Sequence, residues 1–253
     1  MITTFKKDLL SVQIFETRKE MGNNAALLAA EKIRNLLKIR DSISIIFAAA
    51  PSQNEFLEAL SIQPGIDWNR ITAFHMDEYV GLPADAPQGF GNFLKRSIFS
   101  KVPFKAVFYL NGNTPDLEPE CKRYSALLNE YQPDIVCMGI GENTHIAFND
   151  PHVARFDDPQ TVKVVDLDQQ CRQQQVNDGC FASIEEVPRY ALTLTVPTLL
   201  RPEAVFCVVP GEHKAQAVFH TLNAPVTAQY PSTSLRTHPH AILFLDKDSA
   251  KMI

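Results

Sequence analysis

The 253-residue sequence is short of several things, and each shortage removes a class of protein. No apolar stretch approaches the roughly 18 consecutive residues of a membrane-spanning helix. No run of basic residues exists, and 24 Lys+Arg against 29 Asp+Glu leave a net charge of −5. Nucleic acid and acidic membrane surfaces are therefore poor partners, although local cations can still hold a small anion. The first residues, Met1-Ile-Thr-Thr-Phe-Lys-Lys, lack the apolar core and cleavage site of a secretory leader. The five cysteines form no C-x-x-C pair, and Cys137 and Cys207 lie in strand-like apolar runs where a thiol packs as a small core residue. A reduced, cytoplasmic setting is the simplest expectation. Glycine-rich signatures are also missing. Gly139-Ile-Gly141 is half of G-x-G-x-x-G, but Thr144 replaces the third glycine, and neither a P-loop nor a G-x-S-x-G elbow occurs. His145, Asp150 and His152 show no established zinc spacing, so no metal is expected.

What is present alternates. Apolar runs at 42–50, 71–76, 106–110, 134–139, 190–196, 203–209 and 241–245 read as strands, with an opening strand inside 1–20. Between them, apolar residues recur at three- and four-residue spacing over Asn24 to Ile39, near 90–99, near 117–131 and from Glu212 to Leu222, the mark of helices. Strands alternating with helices predict βαβ units: one doubly wound, mostly parallel, Rossmann-like α/β domain over 1–253, flanked by helices. Residues 150–186 are too polar for core and read as an irregular insertion, which in compact domains is usually a lid or a flexible loop.

Two strand ends concentrate chemistry. Asp134–Pro151 is an apolar run ended by Gly139 and Gly141, followed by Glu142, Asn143, Thr144, His145, Asn149 and Asp150. Ile71–Pro83 repeats the plan, with Asp77 and Glu78 at the end of its strand. The carboxyl ends of parallel strands are where α/β sheets bind ligands. A solvated strand-to-loop junction is the plain alternative, and a lone histidine at a strand end is more often structural than catalytic. Pro51-Ser52-Gln-Asn-Glu55 opens a helix with capping-box spacing; an ordinary capped helix is the simpler reading of Ser52, a phosphate seat the other.

Met76-Asp-Glu-Tyr-Val-Gly-Leu-Pro83, Gly139-x-Gly-x-x-x-His-Ile-Ala-Phe-Asn-x-Pro151, Leu110-Asn-Gly-Asn-Thr-Pro-Asp116, Val187-Pro-Arg-Tyr-Ala-Leu-Thr193 and Lys214-Ala215 stand in one order along nearly the whole chain. Together they resemble the glucosamine-6-phosphate deaminase (isomerase) family, which shares its fold with 6-phosphogluconolactonase. The resemblance implies conversion of glucosamine 6-phosphate and water to fructose 6-phosphate and ammonia, without metal or organic cofactor. Asp77 would carry a proton from C2 to C1, and His145 would open the sugar ring. Asp150 stands where the family usually has glutamate, and Asn143 where it has an aspartate beside the histidine. An amide there would accept a bond from the imidazole without stabilising its charge. Thr144 replaces a usual glycine and suggests a slightly different loop. Glu78 matches the neighbouring acid, for which a catalytic or substrate-binding role and a structural one, a charge held by a nearby cation, are equal expectations. Lys214 and Arg172 match phosphate ligands, against the default of surface charges, and Ser52 is a weaker third. The family's matching 150–186 region is a mobile lid. Galactosamine 6-phosphate as substrate, 6-phosphogluconolactonase activity and a non-catalytic sugar-phosphate sensor are the rival readings. Subunit number is not legible, a homo-oligomer among the options.

Overall fold

The computed structural model describes residues 1–253 and turns the apolar runs into the middle of an eight-stranded sheet. Its strands are β1 (Thr3–Lys7), β2 (Leu10–Phe15), β3 (Ile43–Phe47), β4 (Ile71–His75), β6 (Ala106–Phe108), β7 (Ile135–Met138), β10 (Ala204–Val209) and β11 (Ala241–Asp246). A second, three-stranded sheet holds β5 (Asp77–Tyr79), β8 (Val162–Asp166) and β9 (Tyr190–Leu194). The helices are α1 (Arg18–Ile39), α2 (Asn54–Ser61), α3 (Phe90–Leu94), α4 (Leu117–Tyr131), α5 (Gln169–Asn177), α6 (Val196–Leu200) and α7 (Ala215–Asn223).

The large sheet runs β1-β2-β11-β10-β7-β3-β4-β6, parallel except for the β1–β2 pair. Every residue of β3, β4, β7 and β10 is buried, as a parallel sheet covered on both faces requires. Alternation divides the core. Ile45, Phe47, Cys137 and Phe206 face α1 and α2, while Ile46, Val136, Met138 and Cys207 face the opposite layer with Leu128 of α4 and Val218 of α7. From β3 the chain winds outward through β4 and β6 on one side and β7, β10 and β11 on the other. The carboxyl ends of β3 and β7 therefore flank a topological switch point, where a crevice opens.

Several expectations need correction. The opening strand is a hairpin, β1 paired with β2 in antiparallel register. Helix α1 begins at Arg18, six residues before Asn24, because Thr17 Oγ1 caps it by accepting from Glu20 N–H at 3.1 Å. Gly22 lies inside this helix, where a Cβ would sit 2.7 Å from Glu55 Cβ; its role is close approach to α2, not helix termination. The segment 150–186 is not irregular throughout, since it contains β8 and α5. The run at 190–196 does not join the large sheet. It becomes β9, antiparallel to both β8 and β5, and its pairing of Thr193 with Asp77 ties the small sheet to the end of β4.

Candidate active site

A cleft, partly open to solvent, lies at the switch point. Its wall includes Ser52 after β3, Asp77 after β4, His145 after β7, Lys214 after β10, Asp178 after α5, and Arg18 from α1.

Asp77 is only 7% exposed, and its Oδ1 is buried without a hydrogen-bond partner. Burial, and secondarily the charge of Glu78, pushes its pKa well above the usual carboxylate range. Glu78 points elsewhere. No cation holds it; instead its carboxylate accepts N–H bonds from Tyr79 (3.0 Å), Phe90 (3.0 Å) and Gly91 (2.9 Å), the last two opening α3. It faces an adjoining groove rather than the cleft. One positioning residue escaped the sequence reading. The fully buried His75 donates from Nδ1 to the Asp77 carbonyl (2.8 Å), and its Nε2 accepts from Leu110 N–H (2.9 Å). Those partners fix one neutral tautomer, and burial lowers the ring's pKa accordingly. Adjacency to the Asp77-Glu78 pair was the available signal.

The loop after β7 is closed by Gly141 N–H to His145 O at 2.8 Å. A Cβ on Gly141 would lie 2.2 Å from the His145 ring, so only glycine lets the imidazole lie against this backbone. Thr144 adopts φ +71 and Ala147 φ +48, left-handed values that cost a β-branched residue such as threonine most. Thr144 is held in this conformation where its carbonyl accepts from Ser232 N–H at 2.9 Å.

Asn143 does not bond the imidazole. Its Oδ1 accepts from the backbone N–H of His145 (3.1 Å), and its amide donates to Asp150 Oδ1 and Asp168 Oδ2, both at 2.9 Å. The orienting carboxylate is Asp150 itself, fully buried, with Oδ1 3.1 Å from His145 Nδ1 and off the line of a straight N–H···O bond. Asp150 Oδ2 accepts from Asp168 N–H at 3.1 Å. Burial alone would raise the Asp150 pKa, but His145, the Asn143 amide and the Asp168 N–H together carry it below the usual value. Asp168 also caps α5, accepting from Cys171 N–H at 2.6 Å. Gln174 Oε1 accepts from Glu142 N–H and Gln175 Oε1 from the Tyr79 hydroxyl, both at 2.8 Å, so α5 is fastened over the cleft by polar contacts.

The cations divide. Lys214 is 3% exposed, and burial lowers its pKa against the opposing charges of Asp178 and Glu142. It forms no ion pair within 4.0 Å, leaving an ammonium for an anion in the cleft. Arg172 is not in the cleft wall. Its guanidinium is occupied by the carbonyls of Ile184 and Val187, stapling the segment after α5 to itself. Arg18, unremarked in the sequence, lines the cleft while bound to both oxygens of Glu55 at 2.9 Å and to Pro51 O at 3.1 Å. Glu55 is therefore not a capping-box partner, and Ser52 makes no cap; its Oγ accepts from Gln53 Nε2 at 3.1 Å at the cleft edge.

Known proteins resemble this chain over most of its length. The family described as Glucosamine-6-phosphate isomerases/6-phosphogluconolactonase matches residues 16–243. A glucosamine-6-phosphate deaminase of Listeria innocua is 34% identical over 211 residues, 83% of this chain and 88% of its own. One of Streptococcus sanguinis is 32% identical over 238 residues, 94% of this chain and 97% of its own. Among solved structures, a monomeric glucosamine-6-phosphate deaminase superposes with a TM-score of 0.86 at 28% identity, covering 96% of this chain and 99% of that one. The 6-phosphogluconolactonase of Thermotoga maritima shares the fold, with a TM-score of 0.77 at 21% identity over 94% of this chain and all of its own.

Proposed function

Since this chain belongs to the glucosamine-6-phosphate isomerase/6-phosphogluconolactonase family, we propose that it is a hexosamine-6-phosphate deaminase, converting glucosamine 6-phosphate and water to fructose 6-phosphate and ammonia. The observation that carries this reading is the buried, unpartnered carboxyl of Asp77 sharing one cleft with His145, behind which Asp150 stands. Lactone hydrolysis needs a base to activate water. Moving a proton between adjacent carbons needs in addition one carboxyl that takes the proton and returns it one atom away, and a desolvated carboxyl of raised pKa suits both transfers.

In this mechanism His145 transfers the anomeric hydroxyl proton to the ring oxygen, and Asp150 stabilises the imidazolium in passing. Asp77 then removes the C2 proton of the open aldehyde and returns it to C1 of the resulting enolamine, while a second proton passes from the amino group to O1. The resulting C2 imine takes up water and expels ammonia. Lys214 binds the phosphate, whose dianion offsets the cost of a buried ammonium. The 150–186 segment serves as a lid over the cleft. No helix is long and apolar enough to cross a membrane, all five cysteines are unpaired, and a reduced cytoplasm supplied with sugar phosphates is the setting that fits.

The test is ammonia and ketose release from glucosamine 6-phosphate, galactosamine 6-phosphate and 6-phosphogluconolactone. Glucosamine 6-phosphate should give the highest kcat/KM, and Asp77→Asn should lose about 10²–10⁴-fold in turnover. Preferred hydrolysis of the lactone, or a folded Asp77→Asn enzyme with normal turnover, would overturn the proposal.

A further inference from the structure

Cys171 takes no part in the chemistry above, yet it is buried beside it. Because Asp168 caps α5, residue 171 falls in the first turn of the helix, over the loop that follows β7. Its Sγ, His145 Nδ1 and a carboxylate oxygen of Asp150 all lie within 4.8 Å of one another. His145 Nδ1 is itself buried with no in-line hydrogen-bond partner. A thiol, an imidazole nitrogen and a carboxylate thus converge from two separate elements on one point at the cleft.

We propose that Cys171, His145 and Asp150 form a binding site for a borderline-soft divalent cation, zinc being the best fit, and that occupation of this site stops catalysis. The donor set is one that zinc accepts. Bonds of about 2.3 Å to sulfur and about 2.0–2.2 Å to nitrogen and oxygen place tetrahedral ligands closer together than the observed limit. A thiolate ligand disfavours magnesium and calcium, which prefer oxygen. Thiolate and carboxylate together neutralise the ion, so the buried complex carries no net charge. The Asn143 amide and the Asp168 N–H already hold Asp150 from outside, in the way that outer partners steady a metal ligand. On binding, Cys171 releases its thiol proton to solvent and its sulfur lone pair forms the metal bond. The fourth position is left to water from the cleft.

The consequence for turnover rests on the reading of His145 given above; the site itself does not. With metal on Nδ1, the ring retains its Nε2 proton and cannot cycle between imidazole and imidazolium, and Asp150 is no longer free to stabilise the charged form. The ion would also bridge α5 to the loop after β7.

The metal-free, reduced full-length chain is titrated with Co²⁺ as a spectroscopic probe, then back-titrated with Zn²⁺. One Co²⁺ per chain should give tetrahedral visible bands and a thiolate charge-transfer band, both abolished by Zn²⁺. Cys171→Ser and Cys171→Ala should lose the charge-transfer band and weaken binding by at least the about 10–100-fold that loss of even an outer-shell partner costs, whereas Cys121→Ser should retain both. Circular dichroism confirms that each variant is folded. Ammonia release, measured separately, should be inhibited by Zn²⁺ in the wild type and restored by chelator. Absence of a charge-transfer band in the wild type, or its persistence in a folded Cys171 variant, overturns the site. A normal Co²⁺ complex in a chain without deaminase activity leaves the site standing and refutes the function instead.

Discussion

An aspartate at position 143, as the family resemblance implies, would seem to improve the enzyme, and the hydrogen bonds around Asn143 predict the reverse. Its amide nitrogen lies 2.9 Å from carboxylate oxygens of both Asp150 and Asp168. Asn143→Asp replaces that donor with an acceptor and converts two charge-assisted bonds, worth about 1.5–3 kcal/mol each, into contacts between like charges. At that separation and an effective dielectric of about 20, each repulsion is on the order of 6 kcal/mol. The cluster escapes this by keeping a proton on one carboxyl. Holding a proton at pH 7 on a group of ordinary pKa near 3.9 costs about 4 kcal/mol, falling to about 1.5 kcal/mol at pH 5. The variant should therefore melt about 8–16 °C below the wild type at pH 7, recover much of the difference at pH 5, and show lower kcat/KM at neutral pH. Adding Asp168→Asn, which supplies a donor, should restore most of the loss. Thermal melts and pH–rate profiles of the three proteins decide the matter. A single variant as stable as wild type at pH 7, with equal or higher activity, would refute the reasoning.

Other perturbations separate stability from function. Because burial raises the Asp77 pKa, the native state keeps a proton that the unfolded chain loses, so stability falls as pH rises from the unfolded value through the native one; Asp77→Asn should remove that fall, be more stable at pH 7, and converge with wild type near pH 4 in urea melts. Lys214 has a lowered native pKa, so its buried charge costs stability at neutral pH and the cost is relieved as pH rises from the native pKa towards the unfolded value; Lys214→Met should raise the melting temperature at pH 7 while raising KM for the phosphorylated sugar more than it lowers kcat. Arg172→Ala should chiefly loosen the segment after α5, seen as faster proteolysis there, and an increase in KM equal to that of Lys214→Met would show that Arg172 reaches the phosphate. Thr144→Gly relieves a left-handed residue and removes a buried unpaired hydroxyl, offset by about 0.5–1 kcal/mol of glycine entropy, and should leave stability unchanged or improved; a loss above about 1 kcal/mol would contradict this.

Much of the fold was legible because buried parallel strands read as unbroken apolar runs and α4 shows helical apolar spacing, while the Asp116 cap and the exit of Gln132 at φ +41 are what the structure adds. What misled was composition without partners. Gly22 looks like the outside of a helix until α2 is seen packing against it, and 150–186 looks irregular until β8 finds β9. At the site, Asp77, His145, Asp150 and Lys214 were recognisable from their motifs, and the cleft gathers all but Asp150, which stands directly behind His145. Arg18 was not recognisable, since it arrives from a distant helix, and His75 offered only its adjacency to the acidic pair, not the two backbone partners that define it. Asn143 and Arg172 were placed correctly in the chain but assigned the wrong bonds. An amide beside a histidine says nothing of Asp168, twenty-five residues away, and an arginine's carbonyl partners leave no trace in its own neighbourhood.

The ends of the large sheet carry a consequence for the protein at high concentration. Sheets with long, flat, apolar outer strands recruit other chains through their unpaired backbone groups. Here one border is β6, three residues long, and the other is β1, largely solvent-exposed and ending in Lys6 and Lys7. Immediately inside β1 lies β2, whose Leu10, Val12 and Ile14 are buried. The opening hairpin thus acts as a sacrificial cover. A proteolytic nick near Asp8 that released β1 would leave the cleft untouched and yet uncover β2 as a sticky rail, so loss by self-association would precede any loss of catalytic geometry.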